Sequence, residues 1–181
     1  MKRFVLNLSV ALTITIAGVW YCTWRDRPEQ YDAPSSFTLS GTTWKRGTVG
    51  RAKDGDTIVV DGLTIRLAGI DAPESKQPFG EAATGYLATA CVGREVFVEV
   101  LGEDRYRRQL GVVYLLDRPA SLNAEMVHAG LAWRYHAEKS EWLKELEDSS
   151  RKRRAGLWSD EYPIAPWDWR KGARNTKGSG E

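Results

Sequence analysis

The chain is poor in the residues that staple or metallate small domains. It has two cysteines and two histidines in 181 residues. Cys22 lies in an N-terminal apolar run and Cys91 in the body, a separation that predicts no structural disulfide, so the cysteines do not report a redox compartment. His128 and His136 are not at ligand spacing with a partner, which excludes a nitrogen- or sulfur-based site for a softer metal. Net charge is only +2. That excludes an overall positive field as the means of holding a polyanion, and leaves local clusters to do it. No internal repeat is evident. With 42% hydrophobic and 28% charged residues, global disorder is excluded as well.

What is present begins at the N-terminus. Lys2 and Arg3 precede an apolar run from Phe4 to about Cys22, followed by Trp24. Its length fits a long signal-peptide core or a short membrane span. The cleavage site is poor, and Trp20, Tyr21 and Trp24 sit where interfacial aromatics anchor a span. The pattern favours a retained anchor over a cleaved signal for residues 1–24, and either would export the body, as a membrane-anchored or a secreted or periplasmic protein. Residues 25–43, with Pro28 and Pro34, read as a linker. The body is expected over 44–170, as a monomer, and 171–181 as a polar tail.

The body opens with β patterning. Strands are expected over 44–52, 56–60 and 63–70, joined by hairpin signals at Asp54-Gly55 and Asp61-Gly62. Ile65 and Leu67 share one face of the third strand, opposite Arg66. A helix follows over 79–90, then strands over 95–101 and 108–116, then helices over 121–129 and 138–154. The Trp- and Pro-rich stretch 156–169 is expected to pack across the body. The resulting class is α+β: a five-stranded OB-fold barrel with three helices at its side.

Five charged residues stand out: Asp56, Arg66, Asp71, Glu74 and Arg108. Singly, each has an ordinary explanation as a turn, cap or solvated residue. Together they form a pattern. In a meander the start of one strand lies beside the end of the next, so Asp56 and Asp71 can meet at one rim. Two adjacent carboxylates repel unless a cation sits between them, and an oxygen-only site of this kind suits calcium. Arg66, expected on the same strand as Asp71, can reach that rim. Arg108 can approach it from the fifth strand. Paired guanidinium forks suit a phosphodiester, and Glu74 can orient or deprotonate a water. The basic run Arg151-Lys152-Arg153-Arg154 closes the long helix, where favourable interaction with the helix C-terminus is the simpler role.

The segments Val49–Thr57, Ile65–Glu74, Asp104–Gly111 and Asn123–Ala132 resemble, in order, four signatures of the staphylococcal nuclease family, and the resemblance extends from about Trp44 to Trp158. It implies an OB-fold and calcium-dependent hydrolysis of DNA and RNA, with water attacking phosphorus and 3′-phosphate ends remaining. It implies Asp56, Asp71 and the Ala72 carbonyl as metal ligands and Glu74 as the base or water-orienting residue. Arg66 and Arg108 would clamp the phosphate, and Arg105, Tyr106 and Tyr135 would contact substrate. Arg107 departs from the family pattern, which usually has glycine there; glycine at such a position often permits a positive φ. A non-catalytic OB module that binds nucleic acid or protein is the competing class, but such modules have lost the charged set that this chain retains.

Overall fold

A computed structural model describes residues 38–39 and 42–174. The expected signal or anchor at 1–24, with Cys22, lies outside the described residues, as do most of the linker and 175–181 of the tail. Among the described residues no helix is long and apolar enough to cross a membrane.

Among the described residues eight strands form: β1 (Thr38–Leu39), β2 (Thr42–Asp54), β3 (Thr57–Val60), β4 (Leu63–Leu67), β5 (Ile70–Asp71), β6 (Glu95–Glu103), β7 (Gln109–Leu115) and β8 (Trp133–Arg134). Five of them close a barrel in the order β2-β3-β4-β7-β6, with β6 pairing back onto β2. The long β2 makes closure possible. Its first half, Thr43–Thr48, pairs with β6. Its second half, Val49–Asp54, pairs with β3 across two register shifts. Such bulges bend a strand and raise its twist, so one strand can serve both sides of the seam. The β4–β7 pairing is parallel and places Arg66 beside Leu110. The Asp61-Gly62 hairpin has positive φ at both residues, 45° and 83°, as a type I′ turn requires.

Inward-facing Val49, Ile58, Ile65, Leu67, Val96, Val98 and Val113 fill the barrel. Helix α1 (Gly80–Cys91) covers one end with Ala83, Leu87 and Ala90. Cys91 is free and buried, and burial pushes its thiol up to about 11, which leaves it inert as a nucleophile at neutral pH. Helices α2 (Leu122–His128) and α3 (Glu141–Lys152) are N-capped by Ser121 and Ser140, whose hydroxyls accept from Ala124 N and Leu143 N.

The structure departs from the sequence expectation at three places. The third strand does not run to Ile70. It ends at Leu67, the chain turns at Ala68 and Gly69 (φ 75°), and Ile70–Asp71 pairs with Trp133–Arg134 in a separate small sheet. Arg66 and Asp71 are therefore on different strands. Asp56 lies in the Gly55–Asp56 turn, and β3 starts one residue later. The Trp-rich stretch contains a 3₁₀ turn (Gly156–Ser159) and a fourth, short helix, α4 (Pro166–Arg170), with proline where a first-turn N–H is not needed. Trp133, Leu157, Trp158 and Ala165 form a second apolar cluster beneath α4. In the basic run, the Arg151 guanidinium stacks 3.6 Å from the Trp158 ring and Arg153 donates to the carbonyl of His128 at 2.6 Å; both serve packing and capping.

Candidate active site

The site is assembled at the barrel rim where the β2–β3 hairpin meets β5. Gly55 permits the approach: a Cβ there would stand 2.7 Å from the Cβ atoms of both Ala72 and Ala83. With the hairpin tip this close, the Ala72 N–H donates to Asp56 Oδ2 at 2.8 Å. The Thr57 hydroxyl donates to Asp56 Oδ1 at 3.1 Å. Both Asp56 and Asp71 are buried.

Arg66 joins them. Its Nη2 lies 3.0 Å from Asp56 Oδ2 and 2.9 Å from Asp71 Oδ1. Its Nη1 donates to the carbonyls of Leu67 and Ile70, both at 2.9 Å. The guanidinium thus bridges the Ala68–Gly69 break and holds β5 against β4, which recovers the proximity that a shared strand would have supplied. Burial pushes the Asp56 carboxyl up to about 7, against the pull of Arg66 and with a further push from Asp54.

Glu74 is half-buried at the edge of this cluster. Its partner is Arg170, the last residue of α4. Arg170 Nη1 donates to Glu74 Oε1 at 2.6 Å, and Nη2 donates to Asp71 Oδ2 at 2.6 Å. Sequence reasoning missed Arg170. The Ala-Pro-Trp-Asp-Trp-Arg stretch carries a helix-start signal at Pro166, but nothing local says that the helix docks against residues near position 71.

Arg108 approaches from the other side. Its Nε donates to Asp104 Oδ2 at 2.7 Å, and its Nη1 lies 3.5 Å from the Thr57 hydroxyl that holds Asp56. Asp104 also accepts from the backbone N–H of Tyr106 and Arg108, so it organises the β6–β7 turn that carries Arg108. Arg107 in that turn has φ 63°, the left-handed conformation that the usual glycine would accept freely. The Asp104 contacts hold Arg108 in this turn. Tyr106 is exposed, with the guanidinium carbons of Arg105 and Arg108 at 4.8 and 5.5 Å from its ring. Tyr135 donates its N–H to Gly69 O at 2.9 Å, so it stands beside the β5 break. Its ring lies 4.3 Å from His136 and 6.5 Å from Trp167.

The donor set fits a hard cation. Two carboxylates that converge within about 3 Å of one guanidinium nitrogen can also converge on a cation beside it, and all their donors are oxygen. Among the described residues no three His, Cys, Asp or Glu side chains form a ready-made cage, so a main-chain carbonyl and water would complete the shell.

Comparison with known proteins gives the family. A family model described as staphylococcal nuclease homologue matches residues 64–160. The chain is 43% identical over 144 residues to a micrococcal nuclease of Shigella flexneri, covering 72% of this chain and 83% of that one. It is 41% identical over 150 residues to protein ParB of Escherichia coli, covering 75% and 84%. It is 34% identical over 141 residues to an uncharacterized endonuclease of Haemophilus influenzae, covering 74% and 78%. With the barrel, the acidic rim and the arginines in place, the chain belongs to the staphylococcal nuclease family and is a nuclease.

Proposed function

We propose that this nuclease is calcium-dependent, that it hydrolyses phosphodiester bonds in both DNA and RNA, and that it leaves 3′-phosphate ends. The observation that carries the reading is the convergence of Asp56 and Asp71 on one point, 3.0 and 2.9 Å from Arg66 Nη2. A pair of converging carboxylates of this kind attracts a hard divalent cation strongly.

Asp56 and Asp71, with the Ala72 carbonyl, would hold the ion. Calcium bound there would polarise the phosphate and ease formation of hydroxide. Glu74 orients the attacking water and takes its proton. Arg66 and Arg108 flank the carboxylates, and their planar forks neutralise the charge that grows on the phosphoryl oxygens as water attacks. The Arg105–Tyr106 stack and Tyr135 offer faces to the nucleotides on either side. The Lys2-Arg3 pair and the apolar run after it support export of the enzyme, where extracellular or periplasmic polynucleotide would be its substrate.

The test is cleavage of single-stranded DNA and of RNA by the purified protein, with calcium or with a chelator, followed by end-group analysis. Calcium-dependent cleavage of both, with 3′-phosphate ends, is expected. Activity that survives the chelator, or products with 5′-phosphate ends, would reject the reading.

A further inference from the structure

Arg170 engages two of the three acidic side chains of the site, Asp71 and Glu74. Its Nη2 lies 2.6 Å from Asp71 Oδ2 and its Nη1 lies 2.6 Å from Glu74 Oε1, with a second approach of 3.3 Å to Asp71 Oδ1. Both oxygens of Asp71 are therefore engaged by guanidinium, one of them shared with Arg66. Burial of a carboxylate without a positive partner is costly, and Arg170 supplies one from the far end of the folded body.

The two arginines differ in how they are held. Arg66 has 14% of its side chain exposed and is tied to two main-chain carbonyls. Arg170 has 46% exposed and sits at the C-terminus of a five-residue helix. That helix is seated through Trp167, 5.7 Å from the Trp133 ring. Gln77 secures the segment before it by donating to Ile164 O at 2.7 Å. The backbone is fixed while the guanidinium has solvent to move into.

We infer that Arg170 is an intramolecular counter-ion that holds Asp71 and Glu74 in the metal-free enzyme and is displaced when a divalent cation binds. The inference rests on the calcium-dependent reading above. A divalent ion on Asp71 competes with the Arg170 guanidinium for the same oxygen lone pairs and repels its charge, and of the two arginines on Asp71 it is the half-exposed Arg170 that can withdraw into solvent. Departure of Arg170 also releases Glu74. Metal binding and the freeing of the water-orienting carboxylate thus become one event, and Arg170 sets the metal concentration at which it happens. A site blocked nine-tenths of the time by its own side chain shows a roughly tenfold weaker apparent affinity.

The experiment is calorimetric titration of calcium into the parent protein, Arg170→Gln, Arg170→Lys and Lys171→Gln. Lys171 pairs with Asp168 at 3.4 Å and controls for a general loss of positive charge. Arg170→Gln is expected to bind calcium about tenfold more tightly, Arg170→Lys by a smaller factor, and Lys171→Gln as the parent does. Thermal melts add a second readout: Arg170→Gln should lower Tm in chelator and leave Tm in saturating calcium close to that of the parent. Unchanged or weaker binding by Arg170→Gln, or an equal gain in Lys171→Gln, would overturn the inference while leaving the calcium-dependent reading intact. Absence of calcium binding by the parent and by every variant would overturn both.

Discussion

The Ala72 N–H and the Asp56 carboxylate, sixteen positions apart, are joined by a buried hydrogen bond of 2.8 Å. That bond fixes the hairpin tip to the loop that carries Asp71, and it pins one oxygen of a carboxyl that burial has pushed up to about 7. The sign of the resulting pH dependence follows from linkage. Between the ordinary value of 3.8 and about 7 the folded metal-free protein keeps a proton that the unfolded chain releases. Stability from Asp56 is therefore present below that window and lost as pH rises through it. Urea unfolding in chelator should show the parent losing stability relative to Asp56→Asn between pH 4 and 8, on the order of a few kcal/mol. A difference that stays flat across that range would contradict the account.

Gly55→Ala should disturb the same contact from the backbone side. Its methyl meets the Cβ of Ala72 and of Ala83 at 2.7 Å, both on well-packed elements. A destabilisation of roughly 1–3 kcal/mol is expected, with weakened calcium binding because Asp56 and Ala72 are forced apart. Denaturant melts and calcium titration would measure the two effects together.

Arg107→Gly should act in the opposite direction. At φ 63° the arginine carries a steric cost that glycine does not, and relief of about 1 kcal/mol is expected. The Asp104–Arg108 contacts do not involve the Arg107 side chain, so kcat should change little. A lower Tm in the variant would show that the side chain, and not only the backbone, supports the turn.

Arg108→Ala should leave the fold intact and cost roughly 10²–10⁴-fold in kcat, the range for loss of a group that stabilises transition-state charge. Arg108→Lys should recover little, because a point charge cannot reproduce the planar fork. Steady-state kinetics alongside circular dichroism separates the two claims.

Asn123→Ala tests how the barrel supports the turn before Asp71. The Asn123 amide accepts from Val113 N at 3.0 Å and donates to Ala68 O at 2.8 Å and Gly111 O at 3.1 Å. Its removal leaves buried backbone groups unpaired, and a loss of roughly 2–4 kcal/mol is expected by denaturant unfolding.

Much of this was legible in the residue order because the relevant signals are local. Alternation along Leu63–Leu67 gave the inward Ile65 and Leu67, and Asp61-Gly62 announced its turn by composition. The meeting of Asp56 and Asp71 is expected from the pairing of two adjacent strands, but Arg66 and the Ala72 N–H bring it about across the break after Leu67. The break at Ala68–Gly69 was not legible, because what stabilises it is remote: the Ala68 carbonyl is satisfied by Asn123 and Ile70–Asp71 by β8. β propensity sets the start of the second strand at Asp56, one residue early, since the turn centres on Gly55–Asp56. Arg170 was invisible for the same reason as the break, as its position depends on how Trp167 seats against Trp133 and not on any neighbour in the chain. The departure from the family's usual glycine at Arg107 falls on a position with positive φ in the fold.

The small sheet of Ile70–Asp71 with Trp133–Arg134 has a bearing on biosynthesis. A nascent chain that has left the ribosome only as far as the fifth barrel strand already carries Asp56, Arg66, Asp71 and Arg108, yet the segment bearing Asp71 has no strand to lie against. Its partner is translated later, and Arg170 later still. The acidic centre of this nuclease thus stays unfinished until Trp133–Arg134, and then Arg170, have followed it out of the ribosome.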